Sequence, residues 1–135
     1  MKIYVAGPMR GIPEFNFPAF DAATAQLREA GHEVFNPAEK DNERHGKDIS
    51  AGNTEGCEKK AAEEHGFNLR VALGDDLAWI CAHADAVVLL PGWEKSKGAF
   101  AEAATARALG LQLTELVEDA GAIDIASRRK AFLDH

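Results

Sequence analysis

The fold of this chain is decided by a short apolar run, Ala86-Val87-Val88-Leu89-Leu90. A continuous apolar strand without polar alternation is typical of a parallel sheet that helices cover on both faces. A second strand is predicted at the start of the chain, over Lys2–Ala6, and a third, shorter one over His32–Phe35. These three runs make a parallel sheet the natural framework for the chain.

Helical patterns separate these strands. Apolar residues recur at helical spacing over Phe17–Ala30 and again over Leu69–His83. An alanine-rich helix follows the Pro91–Gly98 loop, Leu111–Leu116 is predicted as a further strand, and Ile123–Leu133 as a terminal helix. The alternation predicts an α/β, Rossmann-like (flavodoxin-like) parallel sheet of four or five strands, with helices on both faces.

The length fits one domain over residues 1–135. Residues 39–66 form a polar segment without a clean period, and we interpret it as an inserted, partly mobile loop with room for a short helix. Loops of this length are usually functional or disordered. Its acids and histidines have no recognisable metal-ligand spacing, so the sequence predicts no metal site and no cofactor.

Composition excludes several classes of function. With 46% apolar and 27% charged residues the chain is predicted to be globular. A net charge of −7 argues against a nucleic-acid polymer as partner, although it does not exclude a single bound nucleotide. No apolar run approaches the ~20 residues of a membrane span. Without a signal peptide, and with Cys57 and Cys81 interpreted as free thiols, the sequence predicts a cytoplasmic protein.

One acid stands out on the alanine-rich helix. Glu102 lies in a segment, residues 99–109, that is apolar on nearly every face, so its carboxylate should lose hydration. We expect it near the first turn of the helix, where the macrodipole would keep it ionised. An ionised, partly desolvated carboxylate suits a nucleophile. The alternative is an ordinary surface glutamate.

The first strand ends in a loop bounded by glycines, Gly7-Pro8-Met9-Arg10-Gly11. Doubly wound folds bind phosphates and sugars in such loops, beyond the carboxyl ends of their strands. The loops after Ala6, Phe35 and Leu90 should therefore line one site. Neither a dinucleotide fingerprint nor a P-loop is present, so those two phosphate-binding classes are disfavoured.

Four segments in this order carry a family resemblance. They are Tyr4 with the Gly7–Gly11 loop, the acid Asp76, the Trp93–Gly98 loop and Glu102. Together they resemble the nucleoside 2-deoxyribosyltransferase-like superfamily, which includes deoxynucleoside 5'-monophosphate N-glycosidases. The pattern looks closest to a small, phage-associated branch of that superfamily, and it covers the chain apart from the 39–66 segment and the C-terminal end.

The resemblance implies a role for each matching residue. Glu102 matches the nucleophile that forms a covalent glycosyl-enzyme, a reasonable role because the transition state is oxocarbenium-like. Asp76 matches the acid that assists departure of the base, and Tyr4 the tyrosine that holds the nucleophile. The loop Pro8-Met9-Arg10-Gly11 aligns with a phosphate loop, and Ser96 with a serine that contacts phosphate. Gly7, Trp93 and Gly98 complete the predicted substrate-binding set.

Structural alternatives exist for several of these residues. Tyr4 can be a core strand residue with its hydroxyl at the rim, and Ser96 can simply cap the helix. Arg10 can pair with Glu14, and Trp93 can be a packing residue rather than a platform for a base. The resemblance also has a gap, because the asparagine that related transferases take from a neighbouring C-terminus is not found here.

Three hypotheses about function follow. The first is an enzyme that cleaves or exchanges the N-glycosidic bond of a (deoxy)nucleoside 5'-monophosphate or nucleoside. The second is a non-catalytic nucleotide-binding module of the same fold. The third is an interaction protein in which the alanine-rich helix forms an oligomer interface. Under the first two hypotheses the partner is a small nucleotide or nucleoside, and a homodimer or homotetramer is expected.

Overall fold

A five-stranded sheet forms the centre of the molecule in this computed structural model, which describes residues 1–9, 11–45, 69–119 and 122–130. The strand order is β2-β1-β3-β4-β5. The first four strands are parallel and the fifth pairs antiparallel with β4. Their bounds are β1 Lys2–Ala6, β2 Glu33–Phe35, β3 Ala86–Leu89, β4 Gln112–Asp119 and β5 Ala122–Lys130.

Four described helices flank this sheet. They are α1 Phe17–Glu29, α2 Pro37–His45, α3 Leu69–His83 and α4 Lys97–Leu109, with short 3-10 turns at Pro13–Asn16 and Trp93–Lys95. The order of the strands and their parallel pairing confirm the predicted flavodoxin-like α/β fold. No helix among the described residues is long and apolar enough to cross a lipid bilayer.

Alternation along β1 and β3 divides the core into two layers. Ile3 and Val5 face α1, where Phe20 and Leu27 bury their side chains almost completely. Tyr4 and the other residues of opposite parity face α3 and α4 on the second side of the sheet. Both layers are apolar, but only the second places a tyrosine hydroxyl inside its core.

The predicted terminal helix over Ile123–Leu133 is wrong. Residues Ala122–Lys130 form β5, and the remaining positions of that prediction lie outside the described residues. Ile123 and Ile125 are β-branched and lie on either side of Asp124, a spacing of two that suits a strand. The first residue of β5, Ala122, pairs with the last residue of β4, Asp119. The sheet is therefore mixed, with an antiparallel strand at one edge.

The polar segment over residues 39–66 begins inside a regular helix. Pro37 occupies the first position of α2, where a missing N–H costs nothing. The Asn36 side chain accepts a hydrogen bond of 3.0 Å from the Ala38 N–H and so caps the helix. The part of the segment beyond His45 lies outside the described residues. The described beginning of the segment is therefore helical.

Candidate active site

A cleft of about 700 Å³, including the solvent at its mouth, opens at the carboxyl ends of β1 and β3. The chain leaves β1 towards α1 on one face of the sheet, and leaves β3 towards α4 on the other. Loops that diverge in this way leave a crevice, which is the usual ligand position in open α/β sheets. The lining is largely apolar, with a polar group formed by Tyr4, Asp41, Asp76, Ser96 and Glu102.

The floor of the cleft is a close contact between two strand ends. A methyl group at Gly7 would lie 2.7 Å from the Leu90 Cβ, closer than real side chains come. The Leu90 N–H donates to the Ala6 carbonyl at 2.8 Å, which holds the two strand ends together. Gly7 is therefore required by packing, and it also lines the cleft.

Tyr4 and Glu102 form the central contact of the site. The Tyr4 hydroxyl donates a hydrogen bond of 2.5 Å to Glu102 Oε2, and both side chains are buried. Tyr4 is fully inaccessible in the middle of β1, so its ring is held by the sheet and by stacking on Phe35. The carboxylate is thus fixed by a rigid donor, and the expectation that Tyr4 contacts Glu102 agrees with this geometry.

Glu102 lies deeper along its helix than the sequence suggested. Helix α4 begins at Lys97, so Glu102 falls in the second turn, next to the first turn near which the sequence predicts it. Burial raises the pKa of Glu102 well above its ordinary value; the Tyr4 hydrogen bond opposes that rise, and the charges of Asp76 and Asp41 add to it. Burial and the neighbouring acids therefore oppose the ionisation that the macrodipole was expected to favour.

Asp76 lies on α3 opposite the same tyrosine. It is buried and lines the cleft, whereas its neighbour Asp75 is exposed. Burial, followed by the charges of Glu102 and Asp76, raises the pKa of the Tyr4 hydroxyl well above its ordinary value. Tyr4 consequently keeps its proton and remains a hydrogen-bond donor between two acids.

Asp41 is a cleft residue that the sequence analysis did not select. It lies on α2, is only 3% exposed and lines the cleft, and its charge contributes to the raised pKa of Glu102. The sequence does mark the start of this helix, because Asn36-Pro37 directly follows a strand and is a typical helix start. The nine-residue helix has almost no apolar period, however, so the segment looked like a loop.

The loop after β1 contributes only part of its predicted set. Met9 lines the cleft, Pro8 and Gly11 do not, and Arg10 lies outside the described residues. Beyond this loop, Glu14, Phe15 and Asn16 are three consecutive left-handed residues. Such conformations are unfavourable for side chains other than glycine. Here they turn the chain so that Phe15 and Phe17 form one apolar wall of the cleft.

The loop after β3 brings Ser96 to the cleft, and the first turn of α4 brings Gly98 there. Ser96 also caps α4, because its Oγ accepts a hydrogen bond of 3.2 Å from the Ala99 N–H. Trp93 is not among the lining residues. Its ring is buried against Phe100, and its indole N–H donates to Glu115 Oε1 at 2.9 Å. Trp93 therefore packs and anchors the loop instead of offering its face to a ligand.

The site falls entirely within a matched protein family. Residues 1–115 match the model of a family described as a domain of unknown function, DUF4406, and every cleft-lining residue lies in this range. The comparison with curated proteins finds no match. Within the described part of the chain, no group of three or more acids, histidines or cysteines is arranged to hold a metal ion. On the strength of the family match, the chain belongs to the DUF4406 family.

Proposed function

We propose that this protein cleaves or transfers the N-glycosidic bond of a (deoxy)nucleoside 5'-monophosphate or nucleoside through a covalent glycosyl-Glu102 intermediate. The observation that carries the proposal is the buried Glu102 carboxylate, held at 2.5 Å by the Tyr4 hydroxyl inside a cleft that contains a second acid, Asp76. Most enzymes that cleave glycosidic bonds use two carboxyl groups in one cleft as their catalytic residues.

The proposal assigns different protonation states to the two acids. Neighbouring buried carboxylates resist being ionised together. Burial and the charges of Asp76 and Asp41 raise the pKa of Glu102, and the Tyr4 hydrogen bond opposes that rise. In the reactive form that we propose, Glu102 is the carboxylate and Asp76 keeps the proton. A nucleophile and an acid are what the first step requires.

The proposed reaction has two steps. Glu102 Oε attacks the anomeric carbon while the bond from that carbon to the base nitrogen breaks, and the bonding electrons leave with the base. Asp76 supplies the proton that the departing base needs. A water molecule or a second base then attacks the anomeric carbon and releases the Glu102 carboxylate. The proton lost by that acceptor returns to Asp76, so both acids regain their starting state.

The loop end of the cleft favours a 5'-monophosphate over a free nucleoside. Met9, Ser96 and Gly98 line this end, and the N-terminus of the 13-residue helix α4 begins here. Helix N-termini bind anions through their backbone N–H groups. Arg10 belongs to the same loop by sequence and would add a charge-assisted contact. The superfamily resemblance described above supports the same orientation.

Release of free base tests the proposal. Purified protein is incubated with nucleoside 5'-monophosphates and the matching nucleosides, and chromatography detects the base. We expect release, with kcat/KM ~10²-fold higher for monophosphates, since a charge-assisted hydrogen bond contributes about 1.5–3 kcal/mol. Arg10→Ala should remove most of that preference. A second free base in the mixture distinguishes transfer from hydrolysis by the exchanged product.

Two outcomes would change the conclusion. Nucleotide binding without any base release would favour the non-catalytic binding module. Equal rates with a nucleoside and its monophosphate would remove the phosphate from the proposal and leave the glycosidic chemistry in place.

A further inference from the structure

The loop end of the cleft adjoins a second cavity, which the proposed function does not use. This cavity measures about 970 Å³, including the solvent at its mouth. It is lined by Pro8 from the loop after β1, by Lys95 and Ser96 from the connection after β3, and by Lys97 at the start of α4. Ser96 lines the cleft as well. A ligand that extends out of the cleft past Ser96 therefore reaches the second cavity.

The loop after β1 takes part in both cavities. Gly7 and Met9 line the cleft, and Pro8 between them lines the second cavity. The Asn16 amide donates a hydrogen bond of 3.1 Å to the Pro8 carbonyl and so supports this loop. A methyl group at Gly92, in the connection after β3, would lie 3.5 Å from the Pro8 Cγ, which is ordinary contact. The two connections therefore touch each other, and together they form a supported boundary of the second cavity.

The two cavities carry side chains of opposite charge type. The cleft contains three acids, Asp41, Asp76 and Glu102, whereas the second cavity is lined by Lys95 and Lys97 and by no described acid. Both lysines are exposed, and neither makes an ion pair with an acid in the described part of the chain. The chain as a whole has 22 acids against 15 lysines and arginines, so this composition runs against the average. Two lysine ammonium groups suit an anion.

The stability of α4 does not explain the two lysines. Lys97 is the first residue of the helix and Lys95 lies two positions before it, where the macrodipole favours acids and disfavours cations. No acid lies in the first turn of the helix, and the exposed Glu94 before Lys95 lines neither cavity. A bound anion would reverse this cost, because it attracts both ammonium groups and is favoured by the same dipole.

We propose that the second cavity binds the second phosphate of a nucleoside 5'-diphosphate, with Lys95 and Lys97 as its cationic partners. This inference rests on the proposed glycosidic function and extends its substrates from monophosphates to diphosphates. The first phosphate occupies the loop end of the cleft, and the second passes Ser96. The Ser96 Oγ accepts from the Ala99 N–H and still has its own proton to donate to a phosphate oxygen. The second phosphate lies beyond the first as seen from the sugar, so the glycosidic step is unchanged.

The test compares each nucleoside 5'-monophosphate with its diphosphate, in buffer without divalent cations that would compete for the phosphates. The values of kcat/KM for base release, and the Kd from calorimetry, are measured for the common ribo- and deoxyribonucleotides. Wild-type protein should prefer the diphosphate by about tenfold, the effect of one charge-assisted hydrogen bond. The double variant Lys95→Gln, Lys97→Gln should reduce this preference to within about twofold. Lys2→Gln, an exposed lysine at the opposite end of β1, is the matched control and should retain it.

Turnover and binding together separate this inference from the proposed function. Base release without a preference for diphosphates, or with a preference that the double variant retains, overturns the second phosphate site and leaves the glycosidic chemistry standing. Diphosphate-selective binding that the double variant loses, without base release from any nucleotide, overturns the chemistry and keeps the phosphate site. Neither base release nor selective binding overturns both. Circular dichroism, with a Tm no lower than that of wild type, establishes that the double variant keeps its fold.

Discussion

The two helical layers of this protein follow opposite rules. Helix α1, on one face of the sheet, buries its large apolar side chains and exposes its charges, as stability requires. On the other face, α3 and α4 bury the acids Asp76 and Glu102 and expose Val71 and Phe100. A buried acid has a cost in stability, whereas an exposed apolar side chain contributes little to it. The second layer thus gives up packing that the first layer keeps, as the proposed chemistry and self-association would require, and the following predictions test this difference.

The largest expected effect is on Glu102 itself. Glu102→Gln should lower base release by about 10³-fold or more, because an amide cannot form the glycosyl-enzyme. Chromatography of released base measures the loss, and circular dichroism should show an unchanged fold. Glu94→Gln changes an exposed acid just before α4 and is the control. Activity of Glu102→Gln within tenfold of wild type would contradict the nucleophile assignment.

A smaller effect is expected at the other acid of this layer. Asp76→Asn should lower kcat ~10²-fold and leave KM little changed, since the amide keeps hydrogen bonding but cannot supply the proton. Steady-state kinetics provides both values. Asp75→Asn, on the adjacent exposed position, should behave like wild type. A change mainly in KM would assign Asp76 to binding of the base alone.

The cost of the buried acid should appear in the pH dependence of stability. The pKa of Glu102 is raised in the folded chain above the ordinary value of 4.5. Neutral Glu102 therefore stabilises the fold fully below about that pH, and the contribution is lost as pH rises through the folded pKa. Glu102→Gln stays neutral throughout. Its Tm should match wild type in acid and exceed it by a growing margin towards alkaline pH.

Thermal unfolding followed by circular dichroism across this pH range measures that margin. The pH dependence of groups remote from Glu102 is common to both proteins and cancels in the difference. A difference in Tm that stays constant with pH would mean that Glu102 ionises as easily in the folded chain as in the unfolded one.

The smallest expected effect concerns the exposed face of the second layer. Phe100 is 53% exposed on α4. We expect two copies of the chain to associate through the side of α4 that carries Phe100, with symmetric burial of this side chain. Phe100→Glu should then shift a dimer towards monomer in light scattering at micromolar concentration. Ala22→Glu, on the exposed side of α1, should not, and a monomeric wild type would contradict the expectation.

Much of this arrangement could be predicted because it depends on local patterns. The apolar run before Pro91 and the helical spacing over Phe17–Ala30 produced a strand and a helix near the predicted bounds. The contact between Tyr4 and Glu102 came from a family resemblance, since 98 residues separate the two positions in the chain. Neither propensity nor periodicity predicts a contact of that kind.

The errors have physical causes that a single sequence conceals. Helix α2 is stabilised by contacts with α1, such as that between Arg28 and Glu39, and not by an apolar period of its own. Strand β5 takes its hydrogen bonds from β4, so its conformation depends on pairing. The helix alone predicts an ionised Glu102, whereas burial and the charges of Asp76 and Asp41 raise its pKa in the folded chain. Each error concerns a partner that is distant in the chain.

The close contact between Gly7 and Leu90 has a consequence for changing the specificity of this protein. Because not even a methyl group fits there, the depth of the cleft cannot be adjusted by substitution at its floor. Helix α2, in contrast, is joined to α1 partly through the exposed ion pair of Arg28 and Glu39. Libraries of variants are therefore best confined to the α2 wall, where new side chains can alter the accepted ligand while the two central strands stay in register.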